Sequence, residues 1–213
     1  MAKPLISKEL ILDEALDLLN EEGLEKLSAR NLAARLSCST RTLYEQVGKR
    51  DELIRELVSH FFSNSELHFS PASQWQESGL LWANAMRSAL LTHPNISRLL
   101  TTQTRPAIAE TVNLLLRDWL NKGLSEELAL RGCRVLTHLV ISMTLTEIEA
   151  PPLPERRQRR SRREIEFEDL IIAKTGSGEN QTFQDIPEVF ENAVRWTLAG
   201  IESEVKQANA GAD

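Results

Sequence analysis

Apolar residues recur along this chain at intervals of three and four, the spacing that lines one face of a helix. The first stripe is Ile11, Leu12, Ala15, Leu16, Leu18 and Leu19. Ser7 precedes it, and a serine hydroxyl there accepts from the open N–H groups of a first turn. Gly23 follows it, a residue that tolerates the left-handed conformation common just past a helix. The same punctuation repeats twice at short range. Ser28 precedes a helix that turns Leu32, Ala33 and Leu36 inward, and Ser39 precedes one running over Thr40–Val47. A fourth helix, from about Arg50, carries Leu53, Ile54, Leu57, Val58, Phe61 and Phe62 as one continuous stripe.

After a polar break over residues 63–73, Trp75, Trp82, Met86 and Leu90 mark a fifth helix, which the pair His93 and Pro94 interrupts. A short helix around Ile96, Leu99 and Leu100 leads to Pro106, placed as a first-turn proline. The run Ile108, Val112, Leu115, Leu116, Trp119 and Leu120 then stops at Gly123, and Ser125 caps a long apolar helix ending before Pro151 and Pro152. Residues 151–163 hold three prolines and six arginines and read as an exposed connection. A short helix is expected over 164–173 and a loop at Gly176. Pro187 opens a last helix with Phe190, Val194, Leu198, Ile201 and Val205 on one face. No segment alternates as a strand does. The expected fold class is all-α, with a small three-helix unit over residues 1–50 and a larger helical domain over 51–213.

Composition narrows the function classes. Of the 213 residues, 41% are hydrophobic and 26% charged, enough to bury a core and too apolar for a disordered chain. Cys38 and Cys133 stand alone in apolar surroundings, so neither a disulfide framework nor a zinc cluster is expected, and a cytoplasmic setting is. The N-terminus lacks an apolar leader, and Thr137, His138, Ser142 and Thr144 interrupt the most apolar stretch, so no membrane span is expected. The formal charge of −6 excludes a protein that coats nucleic acid indiscriminately. Residues 26–50 depart from that average: Lys26, Arg30, Arg35, Arg41, Lys49 and Arg50 face a single acid, Glu45. A local basic face on an acidic protein fits site-specific binding to double-stranded operator DNA.

The segment SARNLAARLSCSTRTLYEQVGKRDEL concentrates this chemistry. Two short capped helices joined by a tight turn make a helix-turn-helix, whose second helix enters the major groove and offers its first residues to base edges. Those residues are Thr40, Arg41 and Thr42, with Tyr44 and Gln46 a turn further on. Arginine pairs with guanine through two hydrogen bonds, and hydroxyls and amides reach phosphates or bases. Leu32, Leu36, Cys38, Leu43 and Val47 form the small core beneath.

In ILDEALDLLNEEGLEKLSARNLA, LYEQV and GKRDEL, and in their spacing, the chain resembles the TetR family, specifically its tetracycline-repressor-like branch. The likeness continues through TRP at 104–106, NKG at 121–123 and the terminal IPEVFENAVRWTLAGIE. It implies a ligand-responsive dimeric regulator, a repressor, released from a palindromic operator by a small and largely apolar effector. Ser28 and Arg30 match phosphate-contacting residues at the start of the second helix, and Ser39 and Lys49 flank the reading helix. Thr40, Arg41, Thr42, Tyr44 and Gln46 match the recognition contacts, and Arg50 stands where a phosphate-binding lysine is usual. Ser37 takes a turn position that usually holds glycine, where a left-handed backbone costs a residue with a side chain about 1–2 kcal/mol.

Beyond the head, Trp82, Met86, Leu90, Leu99, Leu115, Trp119, Leu136 and Met143 either line a ligand cavity or fill a core. The resemblance pairs the eighth and last helices with those of a second copy, so that Leu198, Ile201 and Val205 are covered by the homodimer partner; the alternative is that this face folds back on its own domain. In the tetracycline-repressor branch a histidine before TRP and an acid hold a magnesium-bound drug. Thr101 and Glu147 stand near those positions here, which argues against magnesium–tetracycline as effector. His93 and His138 lack the spaced partners of a metal site. The arginines at 156–163 read as a solvated loop, with phosphate capture as the alternative. An enzyme has no motif to stand on: there is no Gly-rich phosphate loop, HExxH, GxSxG or CxxC, and no cofactor is expected.

Overall fold

Three serines start the first three helices. Ser7, Ser28 and Ser39 each accept a hydrogen bond from a backbone N–H three residues on, at 3.2, 3.3 and 3.1 Å, opening α1 (Lys8–Glu22), α2 (Ala29–Arg35) and α3 (Thr40–Val47). The computed structural model describes residues 6–64, 69–101, 103–149 and 186–210, and every regular element among them is helical. The arginine run at 156–163, the helix expected over 164–173 and the loop at Gly176 lie outside the described residues.

Gly23 ends α1 at φ 83° and Gly48 ends α3 at φ 71°. A Cβ at Gly48 would collide with the Glu52 side chain, which accepts from the Lys49 N–H at 2.8 Å and opens α4 (Arg50–Asn64). Between α2 and α3, Ser37 adopts φ 51°, the left-handed value expected for that turn. The head closes over Ile11, Ala15, Leu19, Leu32, Leu43 and Val47, with Leu53 and Leu57 of α4 buried in the same core. Outside it, Arg35 reaches back from α2 to Glu14 and to Glu21 at 2.8 Å on α1.

The body follows as α5 (Trp75–Thr92), α6 (Pro94–Ser97), a 3₁₀ turn (Arg105–Ile108), α7 (Ala109–Asn121), α8 (Glu126–Glu149) and α9 (Ile186–Ala210). Ser125 accepts from the Leu128 N–H at 3.4 Å, as its position before α8 suggested. Helix α8 packs on α5, α7 and α9, and α9 also packs on α5. By length and composition α8 is apolar enough to cross a membrane, but Ala129, Cys133, Leu136, Val140 and Ile141 are buried against its neighbours, which makes it the core helix of the body.

Two glycines set how close these helices come. A Cβ on Gly79 of α5 would lie 2.7 Å from Leu198 and 3.0 Å from Trp119. One on Gly132 of α8 would lie 2.7 Å from Trp119 and 3.0 Å from Ile201. Of the expected partner-facing set, Leu198 is buried in its own chain, as the alternative reading had it, while Ile201 and Val205 are half-buried beside the same core. The reason is steric, since the gaps at Gly79 and Gly132 draw that face of α9 inward. Arg87 of α5 clamps the far end, pairing with Glu147 of α8 through contacts of 2.7 and 3.1 Å while its guanidinium lies 5.1 Å from the Phe190 ring of α9.

Head and body meet along α4. It packs on α1 and on the 3₁₀ turn, with His60 and Asp13 2.7 Å apart and Lys8 and Glu56 2.8 Å apart. Helix α6 reaches the head directly: the Asn95 side chain donates to the Leu19 carbonyl at 3.0 Å.

Replacing Gly132 by Ala is expected to destabilise the body by about 1–3 kcal/mol, the usual cost of overpacking a filled core. Thermal unfolding measures this as a melting temperature lowered by about 2–4 °C for each kcal/mol; an unchanged melting temperature contradicts the close approach at this glycine.

Candidate functional site

Helix α3 is anchored by its apolar side and open on the other. Leu43 and Val47 are buried in the head, whereas the Arg41 side chain is 88% exposed at the first turn, beside the exposed Thr40. Arg41 donates from Nε to Glu45 at 2.9 Å, and that hydrogen bond raises its pKa above the ordinary arginine value. The guanidinium is thus held along the helix, with its charge permanent. Thr42 and Gln46 are half-buried, and the Thr42 hydroxyl lies 2.9 Å from Ser39 Oγ. Tyr44 is half-exposed.

Of the flanking residues, Ser28, Lys49 and Arg50 come together with Tyr44 around one cleft. Arg30 and Lys49 are exposed. Arg50 donates from Nη1 to the Leu27 carbonyl at 2.5 Å, which holds its charge over the start of α2. A cleft of about 220 Å³ opens there, lined by Ser28, Tyr44, Gly48, Lys49 and Arg50. The hydroxyls of Ser28 and Ser39 already cap their helices. Arg35 does not join this face: hydrogen bonds to Glu21 and then Glu14 raise its pKa and tie its charge to α1. The basic surface is accordingly smaller than the residue count of the segment implies.

In the body, the residues singled out as lining a ligand cavity or filling a core are buried. Trp82, Met86, Leu90, Leu115, Trp119 and Leu136 are fully buried, Leu99 is buried and Met143 is partly so. The Trp82 Nε1 donates to the Thr111 carbonyl at 3.0 Å, and Trp119 occupies the space that Gly79 and Gly132 leave free. Open space lies one face further round, as a groove of about 540 Å³ between α7 and α8. Ile108, Val112, Leu116 and Leu130 supply its apolar walls. Cys133 and Thr137 lie in its floor, and Arg131, Arg134 and His138 stand at its edge.

None of the cavity residues expected from the sequence lines this groove. Its signal was the adjacent pair of stripes on α7: Leu115 and Trp119 turn inward, while Val112 and Leu116, one position round, wall the groove. Burial pushes the Cys133 thiol up to about 12, so it remains protonated. The His93 ring packs edge-on against Phe61 with centroids 4.8 Å apart, and His138 Nδ1 lies 2.9 Å from the Arg134 carbonyl of its own helix. Thr101 is exposed, and Glu147 is engaged by Arg87. A separate apolar surface remains on the outer faces of α8 and α9, where Val135, Val189 and Trp196 are exposed, the tryptophan by 75%.

Residues 11–57 match the model of the TetR family of bacterial regulatory proteins, and residues 70–205 match that of the tetracyclin repressor-like C-terminal domain. The class E tetracycline repressor protein of Escherichia coli is 31% identical over 147 residues, covering 67% of this chain and 69% of that protein. An HTH-type transcriptional regulator of Saccharopolyspora erythraea is 29% identical over 101 residues, covering 47% of this chain and 43% of its own length. The chain thus spans less than half of that regulator. Apo ActR from Streptomyces coelicolor superposes with a TM-score of 0.73 at 25% identity, over 97% of this chain and 100% of that one. ActR in complex with (S)-DNPA gives 0.70 at the same identity, over 93% and 98%. A capped recognition helix on a three-helix head, a helical body bearing a groove, and family matches over both parts lead to one conclusion: this chain belongs to the TetR family of transcriptional regulators, with a tetracycline-repressor-like ligand-binding C-terminal domain, and is not an enzyme.

Proposed function

We propose that the protein is a dimeric cytoplasmic repressor that binds a palindromic operator through two copies of α3 and is released by a small, largely apolar effector. The observation that carries this reading is the exposure of Arg41 beside Thr40 at the start of a helix whose opposite side is buried in the head. In that pose arginine can address a guanine edge. Tyr44, Lys49 and Arg50, around the cleft at the start of α2, are the proposed phosphate contacts, with Arg30 beside them. Relatives named as tetracycline repressors support the sign of the regulation.

Dimerisation supplies the second head. The exposed Val135, Val189 and Trp196 join the half-buried Ile201 and Val205 as the proposed partner-facing residues. Burying a tryptophan and two valines against their symmetry mates removes a large apolar area from water.

The α7–α8 groove is the proposed effector site. Its wall residue Ile108 closes the 3₁₀ turn that packs on α4, and α4 joins the head over residues 1–50 to the body over 51–213. An occupant pressing on Ile108 therefore bears on α4, and the α6 contact from Asn95 to Leu19 offers α1 a parallel path. The bond between Arg87 and Glu147, together with the threonine at 101, supports an effector other than magnesium–tetracycline. A solved complex of ActR with actinorhodin, 25% identical to this chain, fits an organic ligand in a body of this kind.

Arg41→Ala is expected to weaken binding to a selected operator by about 1–3 kcal/mol and to relax preference at one base position in each half-site. Competition gel-shift assays measure both, and unchanged affinity and preference contradict the reading. Trp196→Glu is expected to convert the dimer to monomer in sedimentation equilibrium while leaving the helical circular dichroism intact; a dimer that persists removes this face from the interface.

A further inference from the structure

The groove carries information about the chemistry of its occupant. Its lining residues contain no carboxylate, yet Arg131 and Arg134 both border it. Arg131 is spent on Glu127 and on Glu204 of α9. Arg134, exposed at the edge, makes no side-chain ion pair or hydrogen bond among the described residues. One helical turn further on, Thr137 is only 8% exposed and its hydroxyl has no partner among the described residues. The contrast with its own helix is informative. Thr144 and Thr146 return their hydroxyls to carbonyls four residues back, at 2.7 and 2.8 Å, the usual solution for a threonine inside a helix. Thr137 does not take that solution, and a buried hydroxyl without a partner is destabilising unless something else supplies one.

We propose that the groove receives an amphipathic organic anion, its apolar body against Ile108, Val112, Leu116 and Leu130, a polar atom on the Thr137 hydroxyl, and its carboxylate or similar charge at Arg134. Residues 134 and 137 are three apart on one helix and so lie on the same face. A single ligand of roughly bicyclic size spans both while staying within the space available. The apolar walls supply affinity and the arginine supplies selection, since an exposed cation discriminates charge more than it adds binding energy. This inference rests on the effector reading of the groove and deepens it by fixing the class of ligand.

The test uses the full-length protein and two matched probes, 1-naphthylacetate and the uncharged 1-naphthylacetamide, titrated calorimetrically at neutral pH. The acid is expected to bind about tenfold more tightly than the amide. In Arg134→Gln the acid should fall to the level of the amide while the amide is unchanged. In Thr137→Val both probes should weaken several-fold, while the ligand-free protein melts at the same temperature or higher because a buried unpaired hydroxyl has been removed. A merely structural threonine would instead lower the melting temperature. Equal affinity for acid and amide, or a preference that survives Arg134→Gln, overturns the proposal. So does the absence of saturable binding. Operator binding by the same preparation is scored separately, so a failed ligand and a failed regulator are told apart.

Discussion

Trp119 is the side chain around which the body is organised. Its ring lies against Gly79 of α5 and Gly132 of α8, and it meets Trp75 edge-on with centroids 5.4 Å apart. Because neither glycine carries a side chain, α9 can seat Leu198 and Ile201 in the same two gaps. The indole Nε1 is buried with no partner, a cost of about 1–3 kcal/mol that dense packing around the ring must outweigh. Beside it, Lys122 pairs with Asp118 of its own turn and donates to Ser78 Oγ at 2.8 Å, so the end of α7 is fastened to α5 by a hydrogen bond from a nearly buried ammonium.

Two consequences follow from filling the centre in this way. With α9 turned inward along one face, its opposite face leaves Val189 and Trp196 exposed, as Val135 is on α8. With the bundle centre occupied, open space lies at the seam between α7 and α8, where it touches the 3₁₀ turn that packs on α4. The head meets the body through α4, which packs on the 3₁₀ turn, and through α6, whose Asn95 side chain bonds the end of α1. A linkage of that kind can be reset by a modest differential binding energy, which is what a ligand-responsive regulator requires.

Much of the architecture was legible in the residues. Helix starts at Ser7, Ser28, Ser39 and Ser125 follow from local capping, and the positive φ at Ser37 follows from the family resemblance, in which that turn position usually holds glycine. The exposed set on α3 is also local information, since Leu43 and Val47 fix which side faces in. What periodicity cannot decide is which of two adjacent apolar stripes meets a neighbour and which meets space. Leu115 and Val112 look alike along the chain, and only the tertiary approach permitted at Gly132 separates core from groove. The same limit explains Leu198: an apolar face on a terminal helix suits a partner or its own domain equally well until the receiving surface is known. Arg35 shows the limit for charge, because acids on α1, distant in sequence, neutralise it.

The central claim is that two identical heads meet one duplex together, each through α3. A hydroxyl-radical footprint of the wild-type protein, on a duplex selected from random sequence, tests this most directly. The account predicts a symmetric site with two protected patches centred about one helical turn, or a whole multiple of it, apart. A single patch, or selected sequences without two-fold symmetry, would contradict it.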